Sequence, residues 1–326
     1  MFYINNESNN PYCNLALEEY LLKNFKQEFF ILWQNAPSVI VGKNQNTISE
    51  INVDYIKEHH IPVVRRLTGG GAVFHDLGNL NYTFIVNDRE GSSFDFKKHT
   101  APIIEVLQKL SVDAKLSGRN DLTIDGKKFS GNSQYRYKGR LLHHGTLLFN
   151  SSISNISSAL KVDASKFEGK GIQSVASRVT NISEHLKNPL TLPEFKQLIT
   201  SQIRSSHSEF EFYDLTTLDT ANIEKLEKEK YATWEWNYGS SPEYNFSNRK
   251  KFAAGSVEAF FTVSNGQIRG VSLYGDFFGE YDITDIENAL NGVKHQVSAV
   301  RQRLSEYEIS RYFSGISIDD FISVLF

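Results

Sequence analysis

The chain has one cysteine in 326 residues. A lone Cys13 excludes an intramolecular disulfide and a cysteine-ligated zinc site. It also leaves thiol chemistry a single candidate. Cys13 stands among Leu15, Leu17 and Leu21, and no histidine or lysine lies within nine residues on either side. A thiol in such company reads as a small core residue, not an activated nucleophile. A basic surplus is missing as well. The net charge of −3 provides no global positive field, so no nucleic-acid partner is expected. Apolar runs such as Phe29–Trp33 are far too short to span a bilayer, and the polar opening Met1–Glu7 is no signal peptide. The expected protein is a cytoplasmic monomer without a membrane partner. GxxxxGK[ST] does not occur, which excludes a P-loop. The third glycine of a dinucleotide fingerprint is also lacking, since Phe74 stands in its place.

What is present is concentrated in Arg65–Asp76 (RRLTGGGAVFHD). Three consecutive glycines bring no side chain to a core and cost the most backbone entropy on folding. They suit a sharp turn or a close approach, and the N–H groups of such a loop form an anion-binding concavity. Arg65 and Arg66 supply permanent, planar positive charge. The loop lies between an apolar strand, Ile61–Val64, and a mixed strand, Ala72–Phe74. It therefore reads as a seat for a small anionic substrate. A side chain at Gly71 is expected to clash with the ligand or to force a disallowed backbone angle.

Around this loop the elements alternate. Asn10-Pro11 caps and opens a helix carrying Leu15, Leu21, Leu22 and Phe25. Phe29–Trp33, Ser38–Val41, Tyr82–Val86 and Leu141–Phe149 read as strands. Val53–His60, His99–Leu110, Leu192–His207 and Thr220–Thr233 read as helices. Asn237–Asn248 resembles a linker. After it come a hairpin around Ser264-Asn265-Gly266 and two or three helices. The expected organisation is an α+β catalytic domain over residues 1–245 and a small α+β domain over 246–326.

Asp125-Gly126 is a strong hairpin signal. With these two residues at the turn, Ile124 pairs with Lys127, Thr123 with Lys128, Leu122 with Phe129, and Asp121 with Ser130. Paired residues share a face. Lys128 then lies on a polar face with Asp121, while Lys127 sits solvated at the tip. In His143-His144-Gly145-Thr146 the two histidines must point to opposite faces, so only one lines a site. Gly169–Asn181, which includes Lys170, Ser177 and Arg178, is glycine-bearing, basic and hydroxyl-rich, and is expected to close over a nucleotide.

Together, Arg65–Asn79 (RRLTGGGAVFHDLGN), Gly118–Leu122 (GRNDL), Lys128–Gly131 (KFSG), His143–Leu148 (HHGTLL) and Lys170–Asn181 closely resemble the lipoate–protein ligase A family, in the family's order. The resemblance implies a catalytic domain similar to biotin ligases and, more distantly, class II aminoacyl-tRNA synthetases. It implies ATP, Mg2+ and lipoate as reactants, with a lysine of a 2-oxoacid dehydrogenase E2 lipoyl domain or of glycine-cleavage H protein as acceptor. Lys128 would be the catalytic cation. Arg66, Gly70, Gly71, Ala72, Val73, Phe74, His75, Asn79, Asp121, His144, Gly145, Thr146, Lys170, Ser177 and Arg178 would bind lipoate or ATP, and Asp121 would also help to hold magnesium. The alternatives are an ATP-independent octanoyl or lipoyl transferase working through a cysteine, and a non-catalytic binder of lipoate or lipoyl domains.

Overall fold

The computed structural model of the protein describes residues 1–88, 95–160, 178–241, 243–277 and 279–326. It divides into two compact units, Met1–Gln45 with Glu50–Thr233, and Asn46–Ser49 with Trp234–Phe326.

The first unit is built on strands β1 (Phe2–Asn5), β2 (Phe29–Trp33), β3 (Ser38–Val41), β4 (Val63–Arg65), β5 (Val73–His75), β6 (Asn79–Asn87), β7 (Ala114–Ser117), β8 (Asp121–Ile124), β9 (Lys127–Tyr137), β10 (Arg140–Leu148) and β11 (Glu211–Phe212). Eight of them form one sheet in the order β11-β1-β2-β6-β10-β9-β8-β7, and β4-β3-β5 form a small second sheet. The strict alternation of side chains decides what each face of the large sheet does. Phe30, Leu32, Tyr82 and Phe84 face helices Phe96–Lys109 and Leu192–Ser205, packing against Ile103, Leu107, Phe195, Ile199 and Ile203. Each fully buried side chain of this kind contributes about 1.5–3 kcal/mol. Helix Pro11–Asn24 packs against β6 and β10 from the other face. Its start is the expected one, with the Asn10 side chain accepting from the Tyr12 and Cys13 N–H groups and Pro11 in the first turn.

The Asp125-Gly126 turn has both central residues at positive φ, 50° and 76°, as the two-residue hairpin requires. Ile124 pairs with Lys127 and Thr123 with Lys128, but the register then shifts, so that Leu122 meets Ser130 and Asp121 meets Gly131. This corrects the uniform register expected from sequence. The extra residue of the bulge lets Phe129 and Ser130 both be buried behind Leu122 while Lys128 stays on the open face.

The second unit carries the antiparallel strands β12 (Tyr244–Phe252), β13 (Gly255–Ser264) and β14 (Gln267–Gly275). The turn at Asn265-Gly266 joins β13 and β14, again with both residues at positive φ. Helices Thr284–Leu290, Val297–Leu304, Ile309–Tyr312 and Ile318–Val324 cover the sheet around Phe261, Leu290, Phe313 and Phe321. The linker reading of Asn237–Asn248 needs correcting. Glu235–Gly239 is a turn of π-helix, and β12 begins at Tyr244, so most of the segment belongs to ordered elements and not to a linker. The division between compact units falls between Thr233 and Trp234.

Candidate active site

The loop joining β4 to β5 is held from within. The buried Arg66 donates from Nε to Thr68 Oγ1 (3.0 Å), from Nη1 to the Ile40 carbonyl (3.1 Å), and from Nη2 to the carbonyls of Gly69 (2.7 Å) and Gly71 (2.8 Å). Arg65 Nη1 donates to the carbonyls of Gly42, Lys43 and Gln45. Burial lowers both guanidinium pKa values to about 10, so both stay charged at neutral pH. Ser133 Oγ donates to the Gly69 carbonyl (2.9 Å), and the Ala72 N–H goes to Glu50 Oε2 (3.2 Å). The two arginines therefore shape the loop, and Arg66 also lines the cavity beside it. Gly70 sits at φ 95°, where an added Cβ would lie 2.8 Å from Arg66 Nη2. A Cβ on Gly42 would fall 1.9 Å from the Gly70 carbonyl oxygen. At Gly71 the nearest atom would be Glu50 Oε2 at 3.7 Å. The backbone-angle demand expected at Gly71 thus belongs to Gly70, while Gly71 borders the first cavity.

Beneath the loop runs a buried hydrogen-bonded chain. Glu18 is acceptor-only when ionised, so His144 Nδ1 donates to it at 3.0 Å and 3.1 Å. His144 Nε2 then accepts from the Thr68 hydroxyl (2.8 Å), whose oxygen accepts from Arg66 Nε. Thr83 Oγ1 donates to Glu18 Oε1 (2.6 Å) and accepts from Trp33 Nε1 (2.9 Å). His143, one residue earlier, points into the core and bonds Gln134, and its burial drives its pKa well below the usual range. Sequence reasoning missed Glu18 and Thr68. The available signal was a carboxylate pair, Glu18-Glu19, inside an otherwise apolar helix stretch from Leu15 to Leu22.

Across the sheet, β pairing sets Trp33 beside Asn81, Asn81 beside Thr146, and Asp121 beside Gly131. The Gly131 N–H donates to Thr146 Oγ1 (3.2 Å), which closes the row. Lys128 lies over Gly131: a Cβ there would be 3.0 Å from its Nζ. Lys128 Nζ also pairs with Asp121 Oδ1 at 2.8 Å. Two cavities flank this lysine. One, of about 200 Å³, runs from Lys128 past Gly70, Gly71 and Thr146 to His144, Trp33 and His75. The other, of about 160 Å³, is lined by Phe74, Asn79, Ser130, Leu148 and Val179. Ala72, Val73, Lys128, Gly131 and Thr146 border both.

Most of the expected site residues therefore converge. Arg66, Gly70, Gly71, Ala72, Val73, His75, Lys128, His144, Gly145 and Thr146 line the first cavity, and Phe74 and Asn79 the second. Lys170 and Ser177 lie outside the described residues. Arg178 directly precedes Val179, which bridges to Lys128 in parallel, and the Thr180 N–H donates to the Lys128 carbonyl (3.0 Å). These backbone contacts dock the C-terminal end of the expected closing segment beside the lysine. Asp121 was also expected to hold magnesium. The structure gives its carboxylate to Lys128, and among the described residues no three His, Cys, Asp or Glu side chains gather as a metal site. Cys13 lines neither cavity, and burial raises its thiol pKa. Among the described residues no helix is long and apolar enough to cross a membrane.

Comparison with known proteins agrees with this geometry. Residues 10–204 match the lipoyl protein ligase A/B catalytic domain, and residues 241–325 match the bacterial lipoate protein ligase C-terminus. The chain is 48% identical to lipoate–protein ligase 1 of Staphylococcus aureus, covering 99% of both chains. It is similar to a solved lipoate-protein ligase A bound with ATP (25% identity, TM-score 0.64, covering 73% of this chain and 98% of that one). It is also similar to a lipoate protein ligase of T. acidophilum with bound lipoic acid (25% identity, TM-score 0.62, 73% and 98%). With both domains matched and a relative this similar over nearly its whole length, the chain belongs to the lipoate–protein ligase family.

Proposed function

We propose that the chain activates lipoate with ATP and passes the lipoyl group to a lysine of a lipoyl domain, with the two cavities dividing the work. The first cavity takes the acyl chain and the second takes the adenylate. The observation that carries this reading is the position of Lys128, whose Nζ lies over Gly131 on the border of both.

In the first step a lipoate carboxylate oxygen attacks the α-phosphorus of ATP. A P–O bond to that carboxylate forms, the bond to the β-phosphate oxygen breaks, and pyrophosphate leaves. Two anions must approach, so a fixed cation at the meeting point stabilises the transition state more than either reactant. Lys128 supplies it, and Asp121 aims the ammonium. Arg66 acts through the loop it ties together. The triphosphate brings its own magnesium and commonly supplies much of its coordination. In the second step the acceptor's neutral ε-amine attacks the carbonyl of the mixed anhydride, an amide forms, and AMP departs. Lys128 lies beside the same carbonyl and meets the developing negative charge. The 2-oxoacid dehydrogenase E2 lipoyl domains and glycine-cleavage H protein are the proposed acceptors.

The reading is tested by mass spectrometry of a recombinant lipoyl domain incubated with lipoate, MgATP and the protein. The expected result is one lipoyl adduct on one lysine, with AMP and pyrophosphate formed in step. Modification that proceeds without ATP would overturn it.

A further inference from the structure

A third cavity of the first unit, of about 630 Å³, lies away from Lys128. It is an open groove between helix Leu192–Ser205 and the edge strand β11, with β1 behind. That helix packs on the face of the large sheet opposite helix Pro11–Asn24, whose Leu15 lines the first cavity. The sheet therefore stands between the groove and the first cavity, and no lining residue is shared with either reaction cavity.

The floor of the groove is aromatic. Tyr3 of β1 stacks on Phe210 with ring centroids 5.7 Å apart, and it meets Phe212 of β11 edge-on at 5.3 Å. Tyr3 is buried, whereas Phe212 is 66% exposed. One open apolar side chain is ordinary by itself; this one borders two cations. Lys196 and Arg204 stand on the helix wall, and among the described residues neither has an ion-pair partner. Glu7 is the one carboxylate among the described lining residues. Partial burial lowers the Lys196 pKa, with Glu7 opposing. A half-buried cation without a bound counter-ion is stabilised by an incoming carboxylate.

The spacing of the cations restricts what can meet both. Arg204 lies eight positions after Lys196 on one helix, about 12 Å along its axis. An extended chain sends alternate side chains to one face, so residues i and i+4 stand about 13 Å apart on that face with i+2 between them. A mononucleotide carries its charge at one end and reaches only one of the two. We propose that this groove docks an extended segment of a partner protein with the pattern acidic–x–aromatic–x–acidic, its carboxylates meeting Lys196 and Arg204 and its ring covering Tyr3 and Phe212. The segment anchors a partner without entering the reaction cavities, and the inference does not depend on the ligase reading.

The test is fluorescence polarisation with a labelled, end-blocked peptide containing Glu-Ser-Phe-Ser-Glu, titrated with the full chain at low salt. Saturable binding with a Kd of about 0.1 mM is expected, the weak range of a short segment that must order on binding. Lys196→Glu and Arg204→Glu together should weaken it at least about tenfold, and Phe212→Ser about fivefold. A peptide reordered to Glu-Glu-Ser-Ser-Phe cannot span both cations and should bind at least about fivefold more weakly. Melting curves establish that the variants fold, and their ATP–pyrophosphate exchange should match the wild type. No saturable binding by the wild type would overturn the proposal. So would undiminished binding by the folded double variant, or equal affinity for the reordered peptide. Displacement of the peptide by lipoate and ATP would place it in the reaction cavities and overturn the proposal as well. A dimer at sedimentation equilibrium that Phe212→Ser dissolves would assign the groove to a second copy of the chain, and the partner segment would be refuted.

Discussion

Replacing Lys128 by alanine should separate catalysis from stability. Its ammonium pairs with Asp121, but the two side chains are 41% and 38% exposed. An ion pair that open to solvent contributes at most about 1 kcal/mol. For a unit of this size that is a fall in Tm of no more than about 4 °C. The chemical cost is larger, because the same ammonium stands where charge develops between carboxylate and α-phosphate. Removing one such donor typically costs at least about a hundredfold in rate, or about 2.7 kcal/mol. Lys127 is exposed at the hairpin tip opposite Ile124, and Lys127→Ala should stay within about threefold of wild type. Asp121→Asn leaves the ammonium in place but unaimed, and should fall between the two. The assay is lipoate-dependent ATP–pyrophosphate exchange, with calorimetric melting on the same samples. Equal losses for Lys127→Ala and Lys128→Ala, or near-normal exchange by a folded Lys128→Ala, would refute the placement of Lys128 at the reacting atoms.

Two neighbouring glycines should behave differently: Gly70→Ala meets Arg66 Nη2 at a positive φ and should destabilise by about 1–2 kcal/mol, while Gly71→Ala should change melting by less than about 0.5 kcal/mol. Chemical denaturation of both variants checks this. Cys13→Ser should keep most ligation activity and remain strictly ATP-dependent, since the thiol lies away from both cavities; loss of transfer by the folded variant would revive a thioester mechanism. Acid should destabilise the first unit through His75 and His99, whose pKa values burial lowers to about 3 and about 4. Unfolding lets each bind a proton near its ordinary pKa, so stability is complete above pH of about 6.5 and falls as pH drops towards the folded values, by up to about 1.4 kcal/mol per unit for each ring. Urea denaturation at a series of pH values should show this slope, and a flat profile between pH of about 6 and 4 would contradict it.

Local chemistry makes part of this protein legible in its sequence. The Asn10-Pro11 helix start, the Asp125-Gly126 and Asn265-Gly266 turns and the opposed directions of His143 and His144 depend on backbone geometry within a few residues. They appear in the structure as expected. The glycine-rich loop and Lys128 were visible because their residue types have few structural uses in that combination. Other features depended on contacts the chain makes only when folded. Glu18 reaches His144 across 126 positions, and Thr68 reaches it across 76. The bulge at Phe129 arises because Leu122, Phe129 and Ser130 are buried together, which no pairwise count along the hairpin reveals. Arg66 donates to Thr68 and to carbonyls that the loop presents only in its final shape. Sequence patterns carry turns, periods and residue chemistry, because those are properties of short stretches of backbone. Which buried donor finds a partner, and which is left facing a cavity, is a property of packing, and only the tertiary structure decides it.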